Sequence, residues 1–197
     1  RNIAPPSPSN YLGFLEQTLG RDVFKQNSHF WPQSYDQIGD LIIVKIDENV
    51  RKYKKEIAQS LLAQNTNSNR IFQDLGVQGE FRIRKLEQIL GSNEFGAKTK
   101  IRENGMELIV DPSKGYYSPR LATERIVNLE NAKTLKQKLM RAINVCDAYA
   151  GFGPALTTLL SEKNLINYIL ANDLNPEVTN ILLKNITNSS KNNDFKV

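Results

Sequence analysis

The chain has 197 residues, which is enough for one sizeable hydrophobic core or two small ones. Its 40% hydrophobic and 24% charged residues are ordinary for a globular protein, and no stretch approaches the roughly 18 apolar residues of a membrane span. No signal-peptide pattern opens the chain. The single cysteine, Cys146, excludes an internal disulfide framework and indicates a reducing compartment such as the cytoplasm (or, in a eukaryote, the nucleus or mitochondrion). With one histidine and one cysteine, no metal site is expected, and the formal charge of +5 is compatible with nucleic-acid binding without indicating it.

The first part of the chain is predicted to hold an irregular segment followed by a small α/β domain. We expect residues 1–33 to be extended or irregular, because three prolines lie among the first ten residues and only a weakly helical stretch follows at Tyr11–Leu19. Residues 34–115 alternate β-branched and amphipathic stretches, as in a compact α/β unit. Its predicted elements are strands at Asp40–Ile46, Arg70–Asp74 and Glu80–Arg84, a helix over Glu48–Gln64, and a hairpin over Glu103–Val110 that turns at Asn104-Gly105.

Residues 116–197 change character and are predicted to begin a doubly wound, Rossmann-like sheet. A helix leads into the order strand, glycine turn, helix, strand, acidic residue, helix, which is typical of the start of such a parallel sheet. The predicted elements are helices at Ala132–Ala142, Pro154–Ser161 and Pro176–Asn188, and strands at Ile143–Cys146 and Ile166–Ala171. The expected fold class is therefore α/β: a small RNA-binding-type domain followed by the first half of a doubly wound sheet.

A glycine turn with two acidic residues is the candidate cofactor site. Asp147 ends the first predicted strand, Gly151 and Gly153 follow it, and Asp173 ends the second strand, where a carboxylate can accept the hydroxyls of a ribose. A turn without a ligand is one alternative, and a nucleotide or NAD site is another. Leu156 stands where a dinucleotide fingerprint would have its third glycine. This departure favours S-adenosylmethionine over the other cofactors.

The segment Lys114–Arg125, which precedes the cofactor residues, is dense in polar and aromatic side chains. Tyr116 can stack on a base, Arg120 and Arg125 can bind phosphate, and Glu124 can accept a proton. Removing the hydrogen from a ring nitrogen before methylation requires such a base. An exposed linker, with the start of a helix at its end, explains the same residues equally well.

Two arginines lie in the short segment Gly79–Arg84. If this segment is a strand, Arg82 and Arg84 project from the same side of it. Two parallel guanidinium groups suit phosphate or the O6/N7 edge of guanine. A solvated strand face is the commoner explanation for such a pair.

Together, these segments resemble the archaeal and eukaryotic tRNA (guanine-37-N1) methyltransferase family. The matching segments occur in the family's order and cover roughly residues 34–188. They are Ser34–Asp40, Gly79–Arg82, Glu103–Gly105, Tyr116–Leu121 with Glu124-Arg125, Asp147–Pro154 and Asp173–Pro176.

The resemblance implies methyl transfer from S-adenosylmethionine to N1 of guanosine 37, next to the anticodon of a tRNA partner. By motif match, Glu124 corresponds to the general base, Arg84 (or its neighbour Arg82) to the arginine that steadies guanine O6, and Tyr116 to the base-contacting aromatic. The cofactor-binding positions implied are Asp147, Tyr149, Gly151, Gly153, Asp173 and Leu174.

Two alternatives stay open beside this interpretation. The aminocarboxypropyl transferase of the wybutosine pathway uses the same cofactor to move a different group, and Arg120 and Pro154 favour the methyltransferase over it. A tRNA-binding fragment without catalytic activity is the other alternative. The resemblance implies further strand–helix units after Asn188, so we expect a carboxy-terminal segment or a partner chain to complete the site.

Overall fold

A computed structural model of the protein describes residues 8–190. The described chain divides into two compact units. The first unit runs up to Gly76 and includes Lys85–Gly96, whereas the second comprises Val77–Arg84 and the described residues from Ala97 onwards. These limits do not coincide with the boundaries at 33/34 and 115/116 that the sequence led us to expect.

The first unit contains a four-stranded sheet of mixed direction. The elements are α1 (Tyr11–Leu19), α2 (Arg21–Gln26), β1 (Tyr35–Ile38), β2 (Leu41–Val44), α3 (Lys54–Gln64), β3 (Arg70–Gln78) and β4 (Ile83–Leu90). The strand order in the sheet is β1-β2-β3-β4. β1 and β2 are antiparallel, β2 and β3 are parallel, and α3 lies between β2 and β3 in the chain. The helix predicted from Glu48 begins as a 3₁₀ helix, Glu48–Tyr53, before α3.

The weakly helical stretch predicted at Tyr11–Leu19 is confirmed as α1, whereas the irregular structure predicted for the rest of residues 1–33 is wrong for Arg21–Gln26, which form α2. Asn10 caps α1 by accepting a hydrogen bond of 2.9 Å from the Gly13 backbone N–H. The side chains of Leu15 and Trp31 are buried in a core with residues of β2 and α3. This burial stabilises helices whose own sequence is only weakly helical. Residues 1–7 lie outside the described residues.

The strand predicted over Glu80–Arg84 is also wrong, because a turn between β3 and β4 occupies most of it. Gly79 and Arg82 have positive φ angles of 70° and 49°, and the Arg82 N–H donates to the Gly79 carbonyl over 3.2 Å. Arg84 follows the turn in β4. Arg82 and Arg84 therefore do not project from one face of a strand.

The second unit starts with a hairpin of β5 (Thr99–Glu103) and β6 (Met106–Val110). The two residues between the strands, Asn104 and Gly105, have φ angles of 51° and 81°. Positive φ at both positions defines the tight hairpin turn that an Asn-Gly pair predicts, so this prediction is confirmed.

The rest of the second unit has the order of a doubly wound sheet. A 3₁₀ helix (Pro119–Leu121) leads into α4 (Ala122–Leu139), which begins well before the predicted Ala132. The remaining elements are β7 (Ile143–Asp147), α5 (Pro154–Leu160), β8 (Ile166–Ala171) and α6 (Pro176–Ser190). β7 and β8 are parallel and pair from Ile143↔Ile166 to Asp147↔Ala171, with α5 between them in the chain.

The core of this unit consists of apolar side chains from α4, α5, α6 and the two parallel strands, among them Leu129, Leu156, Ile169, Leu182 and Ile186. It supports the β7–α5–β8 crossover whose loops form the candidate site. Among the helices of residues 8–190, none combines the length and apolar character needed to cross a lipid bilayer.

Candidate active site

A cavity of about 470 Å³ opens in the second unit at the carboxyl ends of β7 and β8. Its volume lies within the range of roughly 300–1,000 Å³ that is usual for small-molecule sites. Four segments line it: the turn between β3 and β4, the segment before α4, the glycine turn after β7, and the residues after β8. The lining residues that the sequence had singled out are Arg82, Tyr116, Arg125, Asp147, Tyr149, Gly151, Asp173 and Leu174.

The glycine turn is hydrogen-bonded to the end of β8. The Ala150 N–H donates to the Asn172 carbonyl over 2.9 Å, and the Asn172 N–H donates to the Asp147 carbonyl over 2.8 Å. The Gly151 N–H donates to Asp173 Oδ2 over 2.8 Å. These bonds bring Asp147 and Asp173, which the sequence separates, to one edge of the sheet.

The two glycines of the turn have different structural roles. Gly151, with φ of 53°, lines the cavity, and a Cβ there would have only the Tyr116 carbonyl oxygen, 3.8 Å away, within 4 Å. Gly153 has φ of 78°, and a Cβ there would lie 2.7 Å from Leu182 Cδ1 of α6. The sequence led us to expect both glycines beside a ligand, but Gly153 is buried against α6 and does not line the cavity.

Both acidic residues retain acceptor capacity towards the cavity. Asp147 Oδ1 accepts a hydrogen bond from the Tyr149 N–H, and Asp173 accepts one backbone N–H on each oxygen, from Asn175 on Oδ1 and Gly151 on Oδ2. A carboxylate offers about four acceptor positions, so each Asp173 oxygen can take one further donor. The donors of a ribose diol fit this pair of oxygens.

Two asparagines that the sequence analysis did not single out hold the loops of the site. Asn175 caps α6 by accepting from the Glu177 N–H, and its amide donates to the Lys114 carbonyl over 2.6 Å. An asparagine immediately before a helix-opening proline is a local signal that could have revealed this cap.

Asn185 has no comparable local signal, because its partners are distant in sequence. Its buried amide accepts from the Ile109 N–H and donates to the Ile109 and Phe152 carbonyls over 2.8–2.9 Å. It therefore links α6, β6 and the glycine turn.

The segment before α4 separates its neighbouring side chains. Tyr116 is 68% exposed and lines the cavity, whereas Tyr117 is buried. Arg125 is also buried, and its guanidinium pairs with the buried Glu103 carboxylate, 2.6 Å from Oε2. This pairing corrects the expectation that Arg125 binds phosphate, because its charge is already neutralised by Glu103.

The Tyr117 hydroxyl completes this buried cluster by donating to Glu103 Oε2 over 2.7 Å. Burial, followed by the bond to Glu103, raises the pKa of Tyr117 above its ordinary value. In the sequence, Glu103 stands out only as the start of the predicted hairpin and as part of a segment that matches the family, because a single acid on a strand does not indicate a partner 22 residues later.

Besides Gly153, three predicted site residues lie outside the cavity lining. Glu124 is exposed in the first turn of α4, between Leu121 and Arg125, which do line the cavity. Arg120 is exposed in the 3₁₀ helix, and Arg84 is half-buried in β4. Of the two arginines considered for guanine O6, only Arg82 lines the cavity. Within residues 8–190, no group of three His, Cys, Asp or Glu side chains is arranged to hold a metal ion.

The chain matches one family model and several curated proteins. Residues 15–94 match a family model described as the TYW2 N-terminal domain. A tRNA (guanine(37)-N(1))-methyltransferase, Trm5b, of Pyrococcus abyssi is 35% identical over 165 residues, which are 83% of this chain and 46% of that protein. The Trm5b of Methanocaldococcus jannaschii is 38% identical over 157 residues, 78% of this chain and 42% of its own length. The Paramecium tetraurelia tRNA (guanine(37)-N(1))-methyltransferase is 32% identical, with 93% of this chain and 41% of that protein covered.

Solved structures of similar proteins agree with these relatives. The complex of aTrm5 and tRNALeu matches 98% of this chain and 54% of that chain, with a TM-score of 0.75 and 28% identity. M. jannaschii Trm5 in complex with adenosine matches 87% of this chain and 49% of that chain, with a TM-score of 0.66 and 30% identity. P. horikoshii TYW2, at 20% identity and a TM-score of 0.62, covers 91% of this chain and 60% of that chain, and shares the fold alone.

The chain spans about half the length of the proteins that it matches. Within that half, the α/β fold class expected from the sequence agrees with the solved relatives. The resemblance is thereby confirmed: the chain is a homologue of the archaeal and eukaryotic tRNA (guanine-37-N1) methyltransferases.

Proposed function

We propose that the whole protein transfers a methyl group from S-adenosylmethionine to N1 of guanosine 37 in tRNA. The observation that carries this proposal is the cavity of the second unit, in which Tyr116 and Arg82 lie with Asp147, Gly151 and Asp173. Tyr116 and Arg82 suit a nucleobase, whereas Asp147, Gly151 and Asp173 suit a nucleoside cofactor. Methyl transfer requires both ligands to bind in the same cavity. Two relatives that are 35% and 38% identical are tRNA (guanine(37)-N(1))-methyltransferases.

The residues at the carboxyl ends of β7 and β8 fit S-adenosylmethionine. The free acceptor positions of Asp173 suit the two ribose hydroxyls, and the Asp147 carboxylate suits the ammonium group. Tyr149 and Leu174 are 90% and 72% exposed at the cavity and offer apolar surface to an adenine ring. When bound, this cofactor supplies an electrophilic methyl group.

The remaining residues are assigned to the guanine. Tyr116 stacks on the base, and the Arg82 guanidinium donates to O6, where negative charge develops as N1 loses its proton. Glu124 takes that proton, so that the N1 lone pair is free to form the new bond to carbon. Its place between two cavity-lining residues supports this role. Arg120, which is exposed in the 3₁₀ helix before α4, is assigned to phosphate.

A methylation assay with the full-length protein tests the proposal. Unmodified transcripts bearing guanosine or adenosine at position 37 are incubated with S-adenosylmethionine, and the digested nucleosides are identified by mass spectrometry. We expect 1-methylguanosine from the guanosine transcript alone. Guanosine without an added methyl group contradicts the proposal. Addition of an aminocarboxypropyl group instead would establish the other transferase activity, and binding without modification would identify a tRNA-binding protein.

A further inference from the structure

The buried Glu103–Arg125 ion pair joins the β5–β6 hairpin to the start of α4. Arg125 Nη1 lies 2.8 Å from Glu103 Oε1 and 2.6 Å from Oε2, and both residues are 7% exposed. The Tyr117 hydroxyl donates to the same carboxylate, and the Arg125 guanidinium also lies over the Tyr117 ring, 5.4 Å from its centroid. One carboxylate therefore holds Tyr117, in the segment before α4, and Arg125, near the start of α4.

Each of these two residues is the immediate neighbour of a residue assigned to the guanine. Tyr117 is buried, whereas the preceding Tyr116 is 68% exposed and lines the cavity. Holding Tyr117 in place therefore restrains the backbone from which Tyr116 projects into the cavity. On α4, consecutive side chains are about 100° apart, so burying Arg125 fixes the direction of Glu124.

The first turn of α4 has no side-chain cap. Neither Ser118 nor Leu121, the residues before the 3₁₀ helix and before α4, makes a side-chain capping bond. Arg125 Nη2 donates to the Ser118 carbonyl over 3.3 Å and so closes the turn from the side of the helix. The orientation of this turn therefore depends on what holds Arg125.

Glu103 is itself held close to the glycine turn. It ends β5 beside the tight turn, where the Asn104 amide donates to Thr158 Oγ1 of α5 over 3.2 Å. α5 begins at Pro154, directly after the glycine turn. The Glu103 carboxylate is thus fixed relative to the cofactor residues. Its bonds to Tyr117 and Arg125 restrain the neighbouring residues Tyr116 and Glu124.

We propose that Glu103 is a positioning residue: through Arg125 and Tyr117 it sets the placement of Tyr116 and Glu124 for proton removal and methyl transfer, without touching the substrate. This inference rests on the proposed function of the same site. Glu103 therefore affects the orientation of the reacting groups and not the binding of the cofactor or the tRNA. A misplacement of about 1 Å at a reacting centre can cost roughly 100-fold in rate.

The test compares variants of the full-length protein. Glu103→Gln keeps the size of the side chain and removes the charge that Arg125 pairs with. We expect kcat for methylation to fall by at least about tenfold, while the Kd for S-adenosylmethionine and the KM for tRNA stay within about threefold. The matched control is Glu107→Gln in the same hairpin, whose pair with Lys100 is two-thirds exposed and which should leave kcat unchanged.

A triple variant separates positioning from folding. Glu103→Leu with Arg125→Met and Tyr117→Phe replaces the buried cluster by apolar side chains of similar size and leaves no buried Tyr117 hydroxyl without an acceptor. Such an exchange of buried ion pairs is often neutral for stability. We expect a Tm near that of the wild type together with a kcat as low as that of Glu103→Gln. A triple variant with wild-type Tm and wild-type kcat would overturn the proposal, and so would a Glu103→Gln variant with wild-type kcat.

Hydrogen exchange of the protein without substrates gives a readout independent of activity. The amides of residues 116–124 should exchange faster in Glu103→Gln than in the wild type, while those of β7 and β8 stay unchanged. Unaltered exchange in residues 116–124 contradicts the positioning role. Faster exchange there in a protein whose wild type methylates no guanosine would overturn the proposed function, and the role of Glu103 in orienting Tyr116 and Glu124 would survive.

Discussion

The Gly151 backbone N–H donates a hydrogen bond of 2.8 Å to Asp173 Oδ2 and thereby joins the glycine turn to the end of β8. In the proposed function, the same carboxylate also binds the ribose of the cofactor. Asp173→Asn keeps the shape of the side chain and removes its charge. We expect the Kd for S-adenosylmethionine to rise by about 10- to 100-fold, since a hydrogen bond to a charged group contributes roughly 1.5–3 kcal/mol. Isothermal titration calorimetry on the full-length protein measures this change.

The control for this variant is Asp22→Asn, which removes an exposed carboxylate from α2 in the first unit. Its Kd for the cofactor should equal that of the wild type. An Asp173→Asn protein that is folded by circular dichroism and binds the cofactor normally would remove Asp173 from the binding site.

Gly115 is a position where packing forbids a side chain. A Cβ there would lie 2.4 Å from Val178 Cγ1 and 2.9 Å from Phe152 Cζ, and both of these side chains are fully buried. We expect Gly115→Ala to lower the free energy of unfolding by about 1–3 kcal/mol, the usual range for overpacking a core. Denaturant unfolding gives the value.

A second substitution tests the cause of that loss. Val178→Ala removes the methyl group in closest contact, so the double variant should be less destabilised than the sum of the two single variants. Simple additivity would show that the two positions do not compete for the same space.

Asn185 satisfies three buried backbone groups with one side chain, two on Ile109 and one on Phe152. Replacing it with leucine keeps a similar volume and leaves those groups without partners. Each buried group that loses its partner costs roughly 1–3 kcal/mol, so we expect Asn185→Leu to cost about 3 kcal/mol or more. Urea unfolding measures the loss, and the neighbouring exposed Asn188→Leu should cost far less.

Sequence patterns sufficed where the structure depends on neighbouring residues. Asn104-Gly105 specifies its turn by backbone preference, and β8 occupies the predicted Ile166–Ala171. The order of strand, glycine turn and helix after Ile143 also follows from local composition. These features need no knowledge of distant contacts.

The predictions that are wrong depend on contacts between distant residues. α2, where irregular structure was predicted, is held by Phe24, which packs against a core that includes Val44 and Ile57. No local pattern in the first 33 residues reveals those partners. Arg125 looks like a free cation in the sequence, whereas Glu103 neutralises it from another element. In the same way, the alternation of side chains over Glu80–Arg84 predicted a strand. Arg82 instead lies in a turn and has a positive φ angle.

Alkaline pH offers a test of the buried Tyr117 hydroxyl. Its pKa is raised in the folded state by burial and by the bond to Glu103, so the folded protein holds the phenolic proton more tightly than the unfolded chain. The resulting stabilisation is fully present below the unfolded pKa of 10.0 and is lost as the pH rises above it. Tyr117→Phe abolishes this contribution.

Thermal unfolding between pH 8 and pH 11 measures the effect. We expect the Tm of the wild type to fall more steeply above about pH 10 than that of Tyr117→Phe, because only the wild type must release this proton. Tyr116→Phe, at an exposed hydroxyl, serves as the control and should follow the wild type. Parallel curves for the wild type and Tyr117→Phe would contradict a raised pKa at this position.

Arg82 combines an unfavourable backbone conformation with a place in the cavity. Its φ of 49° is one that glycine adopts without cost, whereas a residue with a side chain loses of the order of 1 kcal/mol there. Arg82→Gly in the full-length protein should therefore leave the free energy of unfolding unchanged or raise it by up to about 1 kcal/mol. The same change removes the guanidinium assigned to guanine O6, so kcat for methylation should fall by about 100-fold, as when one oxyanion donor is deleted.

The control is Arg84→Ala, at a residue outside the cavity lining, which should keep most of the activity. Single-turnover assays compare the methylation rates of the two variants. A lower rate for Arg84→Ala than for Arg82→Gly would move the assignment from Arg82 to Arg84.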